Sequence, residues 1–456
     1  MSELRRESDV VVIGAGLAGL AAARALGQAG RTAVVLEARD RVGGRTLNED
    51  IGGGEVVEVG GQWAGPTQHR ILALARAVGV ETFPTYDEGE NVIEWGGRLV
   101  RYRGAIPRIN PALLADVAQA QLRLDRLART VPLEAPWQTP AARRLDSQTF
   151  ASWLRGNVVS KGARTLFEIG TEAVWAQEPA DLSLLHVLFY THSAGGFDAL
   201  IGTSGGAQQD RFVGGSQLIA LRVAEALGDA VVLGAPARRI EHGSGGVSVT
   251  CDGGVQARGR RVIVALPPAL ASRIVYDPPL PGHRDQLTQR MAQGTVTKCM
   301  AIYDEPFWRA DGLTGQATSD AGPVRVTFDN SPPGGSPGVL LGFLEGDCAR
   351  RLGRLEPDAR RDAVVGCFAR FFGPRAERPR RYVERLWAEE EFTRGCYGCA
   401  MPPGAWTSYG EALRAPIGPI HWASAETATV WSGYMDGAVQ SGERAAAEAV
   451  AAPASG

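Results

Sequence analysis

Short apolar runs alternate with helical patterns at both ends of the chain, and the middle carries mixed helical periodicity. Val10–Ile13 is four apolar residues in a row, the pattern of a buried parallel strand. Gly14-Ala15-Gly16-Leu17-Ala18-Gly19 follows at once. An Ala- and Leu-rich stretch from Leu17 to about Gln28 then predicts a helix closed by Gly30. Thr32–Leu36 predicts a second strand with Glu37 at its end, which completes a βαβ unit. Between 91 and 205 the patterns are helical, as in Pro111–Leu127 and Gln148–Leu154. From Arg211 the α/β style returns, with a helix over Ser216–Leu227 and strands near Ala230–Leu233 and Val247–Cys251. A buried strand Val262–Leu266 ends at Pro267-Pro268. A second helical and strand-bearing stretch covers about 285–390, and Ile420–Ala423 and Gly437–Ala451 predict a last strand and helix. This alternation predicts an α/β chain of two domains, each assembled from separated segments.

Composition narrows the function classes. The 44% hydrophobic and 21% charged content is that of a globular chain, and a net charge of −2 supplies no basic field for nucleic acid. No apolar run is long enough to span a membrane, and the start MSELRRESDV has no apolar signal core. The tail AAAEAVAAPASG predicts a fraying helix end. Six scattered cysteines are too sparse for a disulfide scaffold and point to a reducing, cytoplasmic setting. The six histidines show no metal spacing, so no metal site is expected. Of 48 basic residues only Lys161 and Lys298 are lysine.

The G-x-G-x-x-G run lies between a predicted strand and a predicted helix, and an acid follows it at Glu37. In that context Gly14 permits a tight turn, Gly16 lets a pyrophosphate approach the backbone, and Gly19 lets helix and strand pack closely. Glu37 would accept hydrogen bonds from a ribose diol. The motif itself does not choose between NAD and FAD. Arg39-Asp40-Arg41-Val42-Gly43-Gly44-Arg45-Thr46 follows the acid almost directly, and this Gly pair with Arg resembles the signature of the FAD-binding amine oxidase superfamily. Arg45 there can neutralise pyrophosphate charge.

The resemblance extends over nearly the whole chain. Gly60-Gly61-Gln62-Trp63, Gly65-Pro66-Thr67-Gln68, Arg211-Phe212-Val213-Gly214-Gly215, Pro278-Pro279-Leu280-Pro281 and Glu305-Pro306-Phe307-Trp308-Arg309 all resemble the flavin-containing monoamine oxidase family. Glu426-Thr427-Ala428-Thr429 and Trp431-Ser432-Gly433-Tyr434-Met435 are the most specific part. The chain is similar to the soluble microbial members, cyclohexylamine oxidases among them, and lacks the membrane-anchoring C-terminal helix of the mitochondrial enzymes. The resemblance implies a Rossmann-type FAD-binding domain over 1–85, 211–285 and 391–456. It implies a substrate domain of mixed sheet and helices over 86–210 and 286–390.

It also implies site roles. Gly14, Gly16, Gly19, Glu37, Arg39, Gly43, Gly44, Arg45, Gly60, Gly61, Gln62, Ala237, Trp387, Cys396, Glu426 and Met435 would hold FAD. Tyr397 and Tyr434 would flank the amine as two electron-rich ring faces. Lys298 would stand near the flavin, and the arginine bias of the chain supports a special use, since an ammonium that can lose its proton is not replaceable by guanidinium. Gln208 would stand beside the two tyrosines, Leu200 and Ile201 would gate the cavity, and Trp63, Trp175, Val326, Phe328 and Phe343 would form an apolar substrate wall. Strand alternation would turn Arg325 away from the side of Val326. Asp436 would cap the last helix, whose N-terminus would face the flavin.

Many relatives bond the cysteine at the position of Cys396 to the flavin and others bind FAD without a link, so the sequence leaves both open. Cys399 completes a Cys-x-x-Cys, but no second pair supports zinc, and Pro402-Pro403 argues against a thioredoxin-type helix start. The implied activity is oxidation of apolar primary monoamines by O2, giving an aldehyde or ketone, ammonia and hydrogen peroxide. A polyamine or amino-acid oxidase of the same superfamily, or a flavin-bound redox sensor without turnover, are the rivals. Small amines and O2 are the expected partners, without nucleic acid or membrane, and a homodimer stays open.

Overall fold

A computed structural model describes residues 4–451. Its centre is a five-stranded, all-parallel sheet in the order Val231–Val232, Ala33–Leu36, Val10–Ile13, Arg261–Val264, Ile420–Trp422. Both faces are covered, which is why these strands are continuous apolar runs. On one face the helix Leu17–Gln28 packs against the helix Met435–Ala451 over a core of Ala and Leu side chains. Their closest approach is at Gly442, where an added Cβ would collide with the Ala18 carbonyl. The other face meets a second five-stranded sheet, Leu4–Glu7, Val255–Gly259, Gly246–Cys251, Ala237–Gly243 and Val275–Asp277, around Val249, Ile240 and Trp422.

The middle of the chain builds a different layer. A seven-stranded mixed sheet runs Arg381–Leu386, Val296–Tyr303, Gly338–Glu345, Val326–Asp329, Leu313–Ser319, Glu90–Trp95, Arg98–Tyr102. The strands Val296–Tyr303 and Gly338–Glu345 are buried on both faces throughout. Beside this sheet lies a helical body formed by Pro111–Ala128, Phe150–Asn157, Lys161–Trp175 and Leu184–Ala194. All four of these helices start with side-chain caps, Asn110, Thr149, Ser160 and Ser183, that accept backbone N–H bonds.

Predicted elements recur with small shifts. The first helix covers Leu17–Gln28, the strand read as Thr32–Leu36 begins at Ala33, and the strand read as Val262–Leu266 is Arg261–Val264. The last helix begins at Met435 rather than Gly437 and runs to Ala451; the first seven residues of the tail read as a fraying end are regular helix with Ala445, Ala446 and Ala449 buried, and 452–456 lie outside the described residues. Among the described residues no helix is long and apolar enough to cross a membrane.

Candidate active site

One cavity of about 1440 Å³ runs from the glycine loop through the interface of the two layers to the helical body. That exceeds the roughly 300–1,000 Å³ typical of a pocket for one small molecule. At one end Gly14 takes φ +101°, in the left-handed region that favours glycine, and turns the chain from strand to helix. An added Cβ on Gly19 would collide with the Gly14 carbonyl, so Gly19 sits outside the cavity and serves helix–strand packing. Gly14, Gly16, Glu37, Arg39, Gly43, Gly44, Arg45 and Ala237 face the cavity. The helix Leu17–Gln28 has no acidic residue in its first turn and no side-chain cap, so its free N–H groups suit a phosphate. The Glu37 carboxylate accepts from Ala15 N at 2.7 Å and Arg39 N at 3.0 Å, which braces the loop while facing the cavity. A glycine cradle, an uncapped helix end and a buried acid at the second strand fit the dinucleotide half of FAD.

Arg45 faces the cavity and is also anchored from behind. Its guanidinium pairs with Glu426 at 2.7 and 3.0 Å and donates to the Tyr397 carbonyl at 2.8 Å. Its charge is therefore balanced inside the protein, and it ties the Gly43-Gly44 turn to the segment bearing Cys396 and Tyr397. Glu426 lies behind the cavity wall, where it also accepts from Cys399 N at 3.1 Å.

At the midpoint Gly60, Gly61, Gln62, Trp63, Lys298, Cys396, Tyr397, Tyr434 and Met435 meet. Lys298 lies within the strand Val296–Tyr303. Its ammonium donates to the Gly60 carbonyl at 2.8 Å and to Gln62 Oε1, and Gln62 Nε2 donates to Asn330 Oδ1 at 2.5 Å. Trp63 and Phe343 present their rings to it at 5.6 and 5.9 Å. Burial pushes the Lys298 ammonium down to about 7; Glu58 acts to raise it and Arg211 to lower it. Trp387 does not reach the cavity. It packs behind this sheet in the same cluster as Cys396, and its indole donates to Val59 O at 2.8 Å.

Cys396 faces the cavity, whereas Cys399 faces a separate small void beside Trp406 and Glu426. Both are free thiols, and burial pushes the Cys396 thiol up to about 12. Among the described residues no cluster of His, Cys, Asp and Glu is arranged to hold a metal. Tyr434 is packed edge-on against Trp431 at 4.9 Å and against Tyr190 at 5.9 Å.

The far chamber is lined by Trp63, Leu200, Ile201, Gln208, Val326, Phe328 and Phe343. Leu200 is fully buried while Ile201 is 43% exposed, so the pair spans from inside to the mouth. Gln208 Nε2 donates to Leu200 O at 3.0 Å, and its Oε1 is buried without a partner. Trp175 does not line this chamber; it packs behind Tyr190 at 5.0 Å. Arg325 stays out of the wall and pairs with Glu172 at 3.2 Å.

The wall is not wholly apolar, contrary to the sequence expectation. Glu345 faces the cavity and accepts a hydrogen bond from the Tyr397 hydroxyl at 3.0 Å. Its signal was present: it stands two residues after Phe343 at the end of an apolar run, and therefore on the same strand face. The last helix also differs. Asp436 lies inside its first turn, and the carboxylate accepts from Arg70 N at 2.7 Å and Ile71 N at 2.9 Å. It thus caps the helix His69–Ala77 rather than its own.

Known proteins share this arrangement. The family model of flavin-containing amine oxidoreductases matches residues 17–450. AofH of Mycobacterium tuberculosis, named as a flavin-containing monoamine oxidase, is 48% identical over 443 residues, covering 97% of this chain and 96% of that protein. Putrescine oxidase, solved as wild type bound to putrescine, superposes with a TM-score of 0.94 at 37% identity, covering 98% of this chain and 100% of that one. Cyclohexylamine oxidase from Brevibacterium oxydans gives a TM-score of 0.93 at 33% identity, covering 97% and 98%. A family match over residues 17–450, on a dinucleotide cradle continuous with a chamber of largely apolar lining, has one reading: the chain belongs to the flavin-containing amine oxidoreductases, FAD enzymes that act on amines.

Proposed function

We propose that this protein oxidises primary monoamines carrying a bulky apolar group, such as cyclohexylamine, benzylamine or phenethylamine, with O2 as acceptor. The observation that carries this reading is the continuity of the cavity, in which Lys298, Tyr397 and Tyr434 stand where the glycine cradle meets the apolar chamber. The segments 1–85, 211–285 and 391–456 would form the FAD-binding domain, and 86–210 with 286–390 the substrate domain. Free cysteines throughout support action in a reducing, cytoplasmic setting.

When bound, FAD supplies the two-electron acceptor for the amine α-carbon and the route of those electrons to O2. The protein's own residues do the rest. Trp63, Phe328 and Phe343 exclude water and favour the neutral amine, the form with a free lone pair. Tyr397 and Tyr434 orient the amine between ring faces. The unpartnered Gln208 Oε1 accepts an N–H from the amine. The imine leaves and hydrolyses to an aldehyde or ketone and ammonia.

A diamine reading draws on Glu345 and on the likeness to putrescine oxidase. The Glu345 carboxyl is already engaged by Tyr397, and burial pushes it up to about 8, so near neutral pH it carries little charge for a second ammonium. An unpaired ammonium in this chamber costs several kcal/mol. Peroxide release across an amine panel tests the assignment: cyclohexylamine or benzylamine exceeds putrescine in kcat/KM, and the reverse order overturns it.

A further inference from the structure

Glu345 closes the strand Gly338–Glu345, where it pairs with Val296, two residues beyond the pair Phe343–Lys298. Opposite residues of an antiparallel pair share a face, so Lys298, Phe343 and Glu345 all lie on the cavity side of the sheet. The side chain is buried, at 4% exposure, and its one hydrogen bond among the described residues comes from the Tyr397 hydroxyl. Among the described residues no cation pairs with it: its charged neighbours are Glu172 and Arg325, which are bound to each other. Burial first, and then the like charge of Glu172, hold the carboxyl toward its neutral form, against the opposing pull of Tyr397 and Arg325. The result is a fixed acceptor that adds little charge to an apolar chamber.

The two cavity tyrosines are held differently. Tyr434 is gripped by Trp431 and Tyr190, and its hydroxyl makes no hydrogen bond among the described residues. Tyr397 has one ring neighbour, Phe343, edge-on at 6.1 Å and 77°. That contact and packing against the apolar cluster around Phe343 and Cys396 hold the ring without fixing its hydroxyl. The hydrogen bond to Glu345 fixes the hydroxyl end of the ring. We propose that Glu345 is a positioning residue, which sets the orientation of Tyr397 and through it the alignment of the amine. This rests on the assignment of Tyr397 to the amine slot made above.

Steady-state kinetics of the holoenzyme variants Glu345→Leu and Glu345→Gln, each with its bound flavin measured by absorbance, test this. Turnover by the wild type on cyclohexylamine and putrescine is read first and judges the substrate assignment alone; the variant-to-wild-type ratios on whichever amine is accepted judge the role of Glu345. The expected result is that Glu345→Leu lowers kcat about tenfold, with KM changed less than about threefold, on both amines. Glu345→Gln, whose amide oxygen still accepts from the phenol, recovers most of the loss. Three results overturn the proposal: a Leu variant with wild-type kcat, a Gln variant as slow as the Leu variant, or a loss confined to putrescine, which would make Glu345 a diamine anchor. Flavin lost in step with activity from both variants would make the role structural and overturn it too.

Discussion

The carboxylate of Glu58 and the guanidinium of Arg211 meet at 2.7 Å with both side chains almost wholly buried. Arg211 also donates to Ser331 O at 2.7 Å, so it joins the glycine-loop part of the chain to the seven-stranded sheet behind Lys298. Glu58 Oε1 has no partner. Removing the cation would leave a buried charge uncompensated, which typically costs about 3–5 kcal/mol. Arg211→Met is expected to lower urea-unfolding stability by that order. The double variant Glu58→Met/Arg211→Met should recover part of it. A single variant that unfolds with the wild type would show that the pair contributes little.

Lys298 gives a pH dependence with a definite sign. With its ammonium pushed down to about 7, the cation is present below that pH and lost above it. A positive charge favours formation of superoxide from O2. Reoxidation of reduced enzyme should therefore slow as pH rises through about 7. Lys298→Met should slow reoxidation more than anaerobic reduction by amine, and should flatten this pH profile. Rapid mixing separates the two half-reactions; a flavin-replete variant reoxidised at the wild-type rate would exclude the role.

Tyr397→Ala and Tyr434→Ala are expected to lower amine turnover far more than flavin content. Lost orientation can raise a barrier by several kcal/mol. Parallel loss of flavin and activity would instead make the rings part of the cofactor seat.

Cys396 faces the cavity and Cys399 does not. If the flavin is linked to Cys396, acid precipitation leaves flavin absorbance with the wild-type pellet. Cys396→Ala should release it, and Cys399→Ala should leave retention unchanged. A colourless wild-type pellet would establish noncovalent FAD.

The first βαβ unit was legible because its evidence is local: an apolar strand, a glycine turn, an Ala-rich helix and an acid at fixed spacing. The helix Leu17–Gln28 falls where its pattern begins and ends. Site membership is less local. Trp175 and Trp387 stand beside residues that face the cavity, but their own faces are set by packing against Tyr190 and by a bond to Val59 O. Asp436 obeys the rule for a capping acid, yet the N–H groups it caps belong to a helix that sequence spacing does not bring near it. Glu345 is readable only once Phe343 is known to lie opposite Lys298, and that register is a property of the folded sheet.

The strand Ile420–Trp422 completes the parallel sheet, and the helix behind Tyr434 and Met435 seals against Leu17–Gln28. The glycine loop is therefore synthesised early and its closing wall late. The two halves of the FAD end of the cavity are thus separated by almost the whole span from Gly14 to Met435, and neither encloses it alone. A chain cut before Ile420 would lose both the edge strand of the parallel sheet and the helix that packs on Leu17–Gln28, leaving the glycine loop open on that side.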